Sequence, residues 1–299
     1  MEYIYDELIK NIDKDRVLVN EPMCKHTTFK IGGPADIFVT INSVQELKIV
    51  IKLAKEKNIN ITCIGNGSNT LVRDEGIRGI TIKLNMKEIT VKDDTIEVEA
   101  GASLPVLAKT AYENNLSGLE FACGIPGSVG GAVYMNAGAH GAEFKEIVVC
   151  TTFLDRNLEL HTIKNEEHNF SHRHSIFAET NNIIISTTLK LSKSRKEEIL
   201  QKMQTYMEMR RKRQPLGMPS AGSVFKRKDN IIPAEIIDKC ELKGYNIGDA
   251  YVSEKHAGFI VNKGKAKAKD VLELIEHIKN VIKEKYNIEL ELEIKVFGQ

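Results

Sequence analysis

Apolar residues recur along the chain at two spacings, three-to-four and two, and the switches between them mark the elements. Ile4, Leu8, Ile9 and Ile12 predict a short helix within residues 1–20, followed by a loop at Asn20-Glu21-Pro22. Asp36 to Ile41 reads as a strand. Ser43-Val44-Gln45-Glu46 is a capping-box pattern opening a helix whose apolar face is Val44, Leu47, Val50, Ile51 and Ala54. Strands are expected at 59–64 and 80–84. Two more, 89–91 and 96–98, flank a hairpin turn at Asp93-Asp94. Ser103 precedes a helix with Pro105 in its first turn. Strands resume at 147–154, 158–163 and 183–191. A second capping-box pattern, Ser194 to Glu197, opens a long helix to about Arg213, where Gln214-Pro215 ends it. Beyond it the pattern predicts a helix from Pro233 to Cys240, a strand at 257–261 and an amphipathic helix from Lys269 to Tyr286. A last strand at 288–297 puts Ile288, Leu290, Leu292, Ile294 and Val296 on one face. Glu289, Glu291, Glu293 and Lys295 fall on the other. The class is α+β. Three parts are expected: a helical lead-in at 1–20, a strand-rich domain at 21–193 and a smaller α/β domain at 194–299.

Composition narrows the function classes. Of 299 residues, 42% are hydrophobic and 28% charged, a globular balance. The 42 Lys and Arg against 41 Asp and Glu leave a net charge of +1, which argues against a nucleic-acid binder. No apolar run reaches the length of a membrane span, and Met1 leads directly into acidic and polar residues rather than a secretory signal. The expectation is a cytoplasmic protein with no membrane contact and no obligate protein partner. Cys24, Cys63, Cys123, Cys150 and Cys240 are scattered and odd in number. They read as reduced, packed thiols, and no metal site is expected.

Two glycine-rich loops carry the first chemical signal. One is Gly65-Asn66-Gly67-Ser68-Asn69, after a strand. The other is Gly124-Ile125-Pro126-Gly127-Ser128-Val129-Gly130-Gly131, before a helix. Glycine lets the backbone approach a ligand closely, so that N–H groups face an anion, and a helix start adds partial positive charge. Each loop alone reads as tight turns. Together, with no Lys inside them, they suit a diphosphate held by backbone. Neither is a Walker A or a Rossmann motif, so the chemistry alone stops at a nucleotide or dinucleotide cofactor.

The same loops, with Thr27-Thr28-Phe29-Lys30-Ile31-Gly32-Gly33 before them and Asn136-Ala137-Gly138 after them, resemble the UDP-N-acetylenolpyruvoylglucosamine reductase family. The likeness continues through Arg173-His174-Ser175-Ile176-Phe177, Gly222-Ser223-Val224-Phe225-Lys226-Arg227 and His256-Ala257-Gly258-Phe259-Ile260-Val261-Asn262. It ends at Leu292-Glu293-Ile294-Lys295-Val296-Phe297-Gly298, so it covers nearly the whole chain in order. The resemblance implies a vanillyl-alcohol-oxidase-type (PCMH-type) FAD domain and a C-terminal substrate domain. It implies non-covalent FAD on the two loops together with Asn136 and Gly138. NADPH would be the reductant and UDP-N-acetylglucosamine enolpyruvate the substrate, in peptidoglycan precursor synthesis. The stretch from Phe177 to Ile183 is short, as in members lacking a Tyr-bearing insertion.

By this resemblance Arg173, Ser223 and Glu293 are the catalytic residues. Arg173 would hold the enolpyruvyl carboxylate and the charge that builds there. Read alone it is a surface Arg in a loop, and His172 stands before it where the family usually has Tyr. Ser223 would protonate the C2 enolate after hydride reaches C3. Read alone it is an ordinary loop Ser. Glu293 would assist that protonation, in its protonated form or through water. The strand pattern alone makes it one of several solvated charges. Arg210 to Arg213 fit the C-terminal end of a helix by charge alone. With the resemblance, Arg213 and Lys226 become candidates for the substrate diphosphate. His256 and Asn262 either line the pocket or serve as structural hydrogen-bonders. Two rival readings remain: another FAD oxidase or dehydrogenase of this fold, and a non-catalytic UDP-sugar-binding module.

Overall fold

The structure, a computed structural model, describes residues 1–228 and 231–299. The chain forms two compact units and passes between them repeatedly. Unit 1 comprises Met1–Val19, Ile37–Asn66 and Gly79–Met209. Unit 2 comprises Asn20–Asp36, Gly67–Arg78 and Arg210–Gln299. A single linear cut at 193/194 does not describe this interleaving. The two short inserts into unit 2 carry no composition shift of their own, and the long helix as far as Met209 belongs with unit 1.

Unit 1 contains an antiparallel five-stranded sheet. Its order is Leu160–Lys164, Val148–Leu154, Ile183–Lys190, Thr95–Glu99, Ile89–Lys92. The last pair closes on Asp93-Asp94, with Lys92 opposite Thr95 and Asp93 in the left-handed region, as the hairpin signal requires. A four-stranded sheet takes the order Val17–Pro22, Pro34–Ile41, Ile77–Leu84, Ile61–Ile64. Its last two strands run parallel, and one of them delivers the chain to Gly65.

Helix α1 spans Glu2–Leu8 and α2 spans Val44–Glu56. The α2 face Leu47, Val50 and Ala54 is buried in one core with Ile37, Val39, Ile41, Ile80 and Ile82. Ser43 Oγ accepts the Glu46 N–H at 3.2 Å. The Glu46 carboxylate accepts Asn42 N–H and two 2.7 Å bonds from Arg16. Helix α3, Leu104–Glu113, adds Leu104, Leu107, Ala108 and Ala111 to that core, and α4 is Val129–Tyr134. Helix α5 runs Lys196–Arg213. The expected Ser194–Glu197 box does not form, because the Ser194 hydroxyl donates to Glu198 instead.

Unit 2 has its own core. A sheet of Ser220–Ser223, Phe259–Asn262, Ala250–Val252 and Asn246–Ile247 shares it with α6, Pro233–Lys239, and α7, Ala268–Tyr286. Val271, Leu274, Ile275, Ile278 and Ile282 are the buried stripe of α7. The Asp74 carboxylate, distant in sequence, accepts the Ala268 and Lys269 N–H groups and so caps α7 from outside.

The expected long strand at 288–297 is largely absent. Only Lys295–Phe297 pairs, in parallel with Thr70–Val72, and Leu292 makes an isolated bridge to Phe225. The alternation of apolar residues there reports burial, with Leu290 and Ile294 inside, rather than a continuous ladder. The five cysteines are free thiols.

Candidate active site

The first glycine loop begins where the strand Ile61–Ile64 ends. A Cβ on Gly65 would overlap the Ser128 hydroxyl, so this glycine lies directly against the second loop. Gly67 has a φ of +65°, and a Cβ there would meet the His26 carbonyl and Thr27 Cα. No backbone N–H from Gly65 to Asn69 has an acceptor among the described residues. Asn66 and Ser68 are half-buried. The Asn69 side chain is committed elsewhere: its Nδ2 donates to the Glu293 carbonyl at 3.0 Å.

The second loop divides its donors. Ile125 N–H goes to Ala122, Val129 N–H to Ala102 and Gly130 N–H to Ala100. Gly131 N–H donates to Ser128 Oγ, which caps α4. Pro126 has no N–H. The N–H groups of Gly124, Gly127 and Ser128 have no acceptor among the described residues. The expected run of donors through Gly130 and Gly131 is therefore already used by the fold. Gly130 serves close packing instead, since a Cβ there would sit 2.9 Å from Ala100 Cβ.

Asn136 and Gly138 are tied into the fold around Arg173. Asn136 is fully buried, and both ends of its amide are used. Nδ2 donates to Glu143 and to the Ser171 carbonyl, each at 3.0 Å, and Oδ1 accepts Lys145 N–H. Ser171 and His174 exchange backbone bonds around a tight turn whose corners are His172 and Arg173, and Arg173 has a φ of +56°. Ser175 Oγ ties the same turn to the Tyr134 carbonyl at the end of α4. Arg173 is half-buried, and its Nη2 donates to the Gly138 carbonyl at 2.9 Å. One short helix thus joins the capped glycine loop at its start to the Arg173 turn at its end. His172 is exposed, with Nδ1 4.0 Å from Glu143.

In unit 2, Ser223 and Glu293 are neighbours. Ser223 ends the strand Ser220–Ser223, opposite Phe259. Glu293 N–H donates to the Val224 carbonyl at 2.8 Å, and Lys226 N–H donates to Glu291. The Ser223 hydroxyl is half-buried and has no partner among the described residues. Glu289 and Glu291 are exposed, whereas Glu293 is half-buried. The alternating pattern could not separate these three. Lys295 is half-buried beside Lys226. Burial first, and the Lys226 charge second, push its ammonium below the ordinary lysine range. Lys295 follows Glu293 by two residues and lies within charge range of Lys226, and the sequence reading gave it no role.

His256 is half-buried, with Nδ1 accepting Gly258 N–H at 3.1 Å, so the neutral ring carries its proton on Nε2. Burial lowers its pKa, and Arg227 and Lys243 lower it further. Asn262 is buried and spent on structure: Nδ2 donates to the Phe29 carbonyl, and Oδ1 accepts Gly264 and Ala266 N–H. Arg213 is exposed at the end of α5. No helix among the described residues is long and apolar enough to cross a membrane.

Residues 35–164 match the model of an FAD binding domain. Residues 214–297 match that of the UDP-N-acetylenolpyruvoylglucosamine reductase C-terminal domain. The Clostridium novyi UDP-N-acetylenolpyruvoylglucosamine reductase is 45% identical over 289 residues, covering 96% of this chain and 94% of its own. The Bacillus subtilis protein of the same name is 44% identical, covering 100% and 99%. The crystal structure of the Thermus caldophilus reductase is similar with a TM-score of 0.81 at 35% identity, covering 94% of this chain and 98% of that one. Wild-type Phl p 4.0202, a glucose dehydrogenase, is similar in fold alone, with a TM-score of 0.51 at 14% identity over 96% of this chain and 63% of its own.

The FAD binding domain and the reductase relatives define an FAD-dependent oxidoreductase of mixed helix and strand. The unengaged N–H groups and the Cβ-free face at Gly65 fit a bound diphosphate of that cofactor. The chain belongs to the UDP-N-acetylenolpyruvoylglucosamine reductase family, whose reductant is NADPH and which serves peptidoglycan synthesis.

Proposed function

We propose that this chain reduces UDP-N-acetylglucosamine enolpyruvate to UDP-N-acetylmuramate with NADPH in the cytoplasm. The observation that carries the reading is the half-buried Ser223, whose hydroxyl has no partner among the described residues, next to Val224, which accepts the Glu293 N–H. Gly65 to Asn69, Gly124, Gly127 and Ser128 hold the FAD diphosphate through backbone N–H groups. Gly130, Gly131, Asn136 and Gly138 support the cofactor loop and the Arg173 turn by packing and internal hydrogen bonds. When bound, FAD supplies hydride transfer between the nicotinamide and the enolpyruvyl carbon.

Arg173 binds the enolpyruvyl carboxylate and stabilises the negative charge that develops next to it. Ser223 Oγ delivers a proton to C2 of the enolate, and Glu293 assists from the adjoining backbone. Lys226 and Lys295 balance the substrate diphosphate, with Arg213 as an exposed outer cation. His256 offers Nε2–H to the substrate, and Asn262 shapes the pocket from within the fold. Ser223→Ala tests the assignment. Flavin reduction by NADPH stays near the wild-type rate, while reoxidation by the enolpyruvyl sugar slows by roughly 10²–10⁴-fold, as expected for a lost general acid. Unchanged reoxidation at saturating substrate would remove Ser223 as the proton donor.

A further inference from the structure

We infer that Glu143 is a positioning residue for Arg173, fixing the turn and the charge balance that let the guanidinium meet the substrate carboxylate. The inference rests on the role proposed for Arg173. Glu143 pairs with Gly138 across a two-stranded ribbon, and Gly138 is the residue whose carbonyl accepts Arg173 Nη2. A Cβ on Gly138 would stand 2.6 Å from Glu143 Cγ, so the glycine is what lets the Glu143 stem lie across the ribbon. Glu143 Oε2 receives Asn136 Nδ2 and Lys145 Nζ, each at 3.0 Å, and Oε1 faces His172 Nδ1 at 4.0 Å. The same Asn136 amide also holds Ser171, the first residue of the turn. One half-buried carboxylate is therefore tied to both sides of the Arg173 mount.

Burial alone would raise the Glu143 carboxyl. The Lys145 and Asn136 hydrogen bonds, with the Lys145 and Arg173 charges, outweigh it and hold the group below the ordinary range. The carboxylate is thus charged where it sits. Without that charge, Lys145 and Arg173 lose a counter-charge that acts on both.

The test is Glu143→Gln, which keeps the shape and an acceptor for Asn136 but loses the charge. It is combined with Arg173→Ala in a double-mutant cycle on the FAD-loaded protein. In otherwise wild-type protein, Glu143→Gln slows reoxidation by the enolpyruvyl sugar about 10- to 100-fold, as expected when a reacting group is displaced by a fraction of an ångström to an ångström. Flavin content, melting temperature and NADPH reduction stay at wild-type values. In the Arg173→Ala background the second substitution adds nothing, and Glu143→Asp restores part of the rate. Loss of flavin, a lowered melting temperature or an equal slowing of both half-reactions would show a structural role and overturn the inference. So would the same fold-loss in the Arg173→Ala background. If Arg173→Ala itself leaves reoxidation unchanged, the Arg173 reading fails and this inference falls with it. That outcome is distinct from a failure of Glu143 alone.

Discussion

Gly65→Ala adds one methyl at the point where the two glycine loops touch. Its backbone is not in the left-handed region, so the only obstacle is the Ser128 hydroxyl, with Ser128 Cβ at an ordinary 3.5 Å. The hydroxyl must rotate away, and it then no longer accepts Gly131 N–H as the N-cap of α4. Loss of such a cap costs about 1 kcal/mol. The cofactor-free variant is therefore less stable by that amount in urea titration, and the methyl in the cradle weakens FAD by at least about 10-fold, or ~1.4 kcal/mol. Ser128→Ala costs the same cap but leaves the cradle open. Because both changes remove one hydroxyl interaction, the double variant is destabilised by about 1 kcal/mol, not ~2, relative to wild type. It binds FAD more tightly than Gly65→Ala alone, since the colliding oxygen has gone. Ultrafiltration with flavin fluorescence measures the affinity. Additive destabilisation, or wild-type flavin affinity in Gly65→Ala, would refute the shared contact.

Asn69→Ala separates two roles. Its amide clamps the Glu293 carbonyl, so flavin is retained and reoxidation by the substrate slows; loss of flavin with a normal substrate reaction would return Asn69 to the cofactor. The buried His168 gives a pH dependence of stability. Its Nδ1–H donates to the Lys164 carbonyl, and Nε2 accepts from the Thr151 hydroxyl, each at 2.8 Å. Burial lowers its pKa against the opposing pull of the Lys164 and Asn165 backbone and of Glu167 and Glu166. The native state therefore refuses a proton that the unfolded chain accepts. Above the ordinary histidine pKa of about 6.5 this has no effect, and below it stability falls as pH drops towards the lowered native value. His256 acts in the same direction. Urea unfolding between pH 8 and 5 shows a shallower acid decline in His168→Gln than in wild type; parallel slopes would exclude His168 as a source.

Much of the fold was legible because its signals are local. The Asp93-Asp94 hairpin, the Ser43 cap and the buried stripe of α7 each depend on residues within a few positions of one another. The interleaved units were not, since nothing in Asn20–Asp36 or Gly67–Arg78 marks them as parts of another core. The site divides the same way. Glycine spacing located both loops, but the bonds from Val129 and Gly130 to Ala102 and Ala100, which spend two of the N–H groups, are long-range and lie beyond any spacing rule. Alternation made Glu289, Glu291 and Glu293 equivalent; the packing of distant segments leaves Glu289 and Glu291 exposed and Glu293 half-buried. Asn136 sits in a recognised motif, yet its amide is consumed by Glu143, Ser171 and Lys145, which no spacing rule shows. Glu143 follows the same glycine-rich stretch, and the motif gave it no role.

The central claim is tested most directly without any mutation. The FAD-loaded protein is reduced anaerobically with one equivalent of NADPH and then mixed with UDP-N-acetylglucosamine enolpyruvate while the flavin absorbance is followed. The account predicts that the yellow absorbance bleaches with NADPH and returns in full with the enolpyruvyl sugar, with one equivalent of UDP-N-acetylmuramate formed. Reduced flavin that stays bleached with this substrate, and reoxidises only when oxygen is admitted, would contradict it.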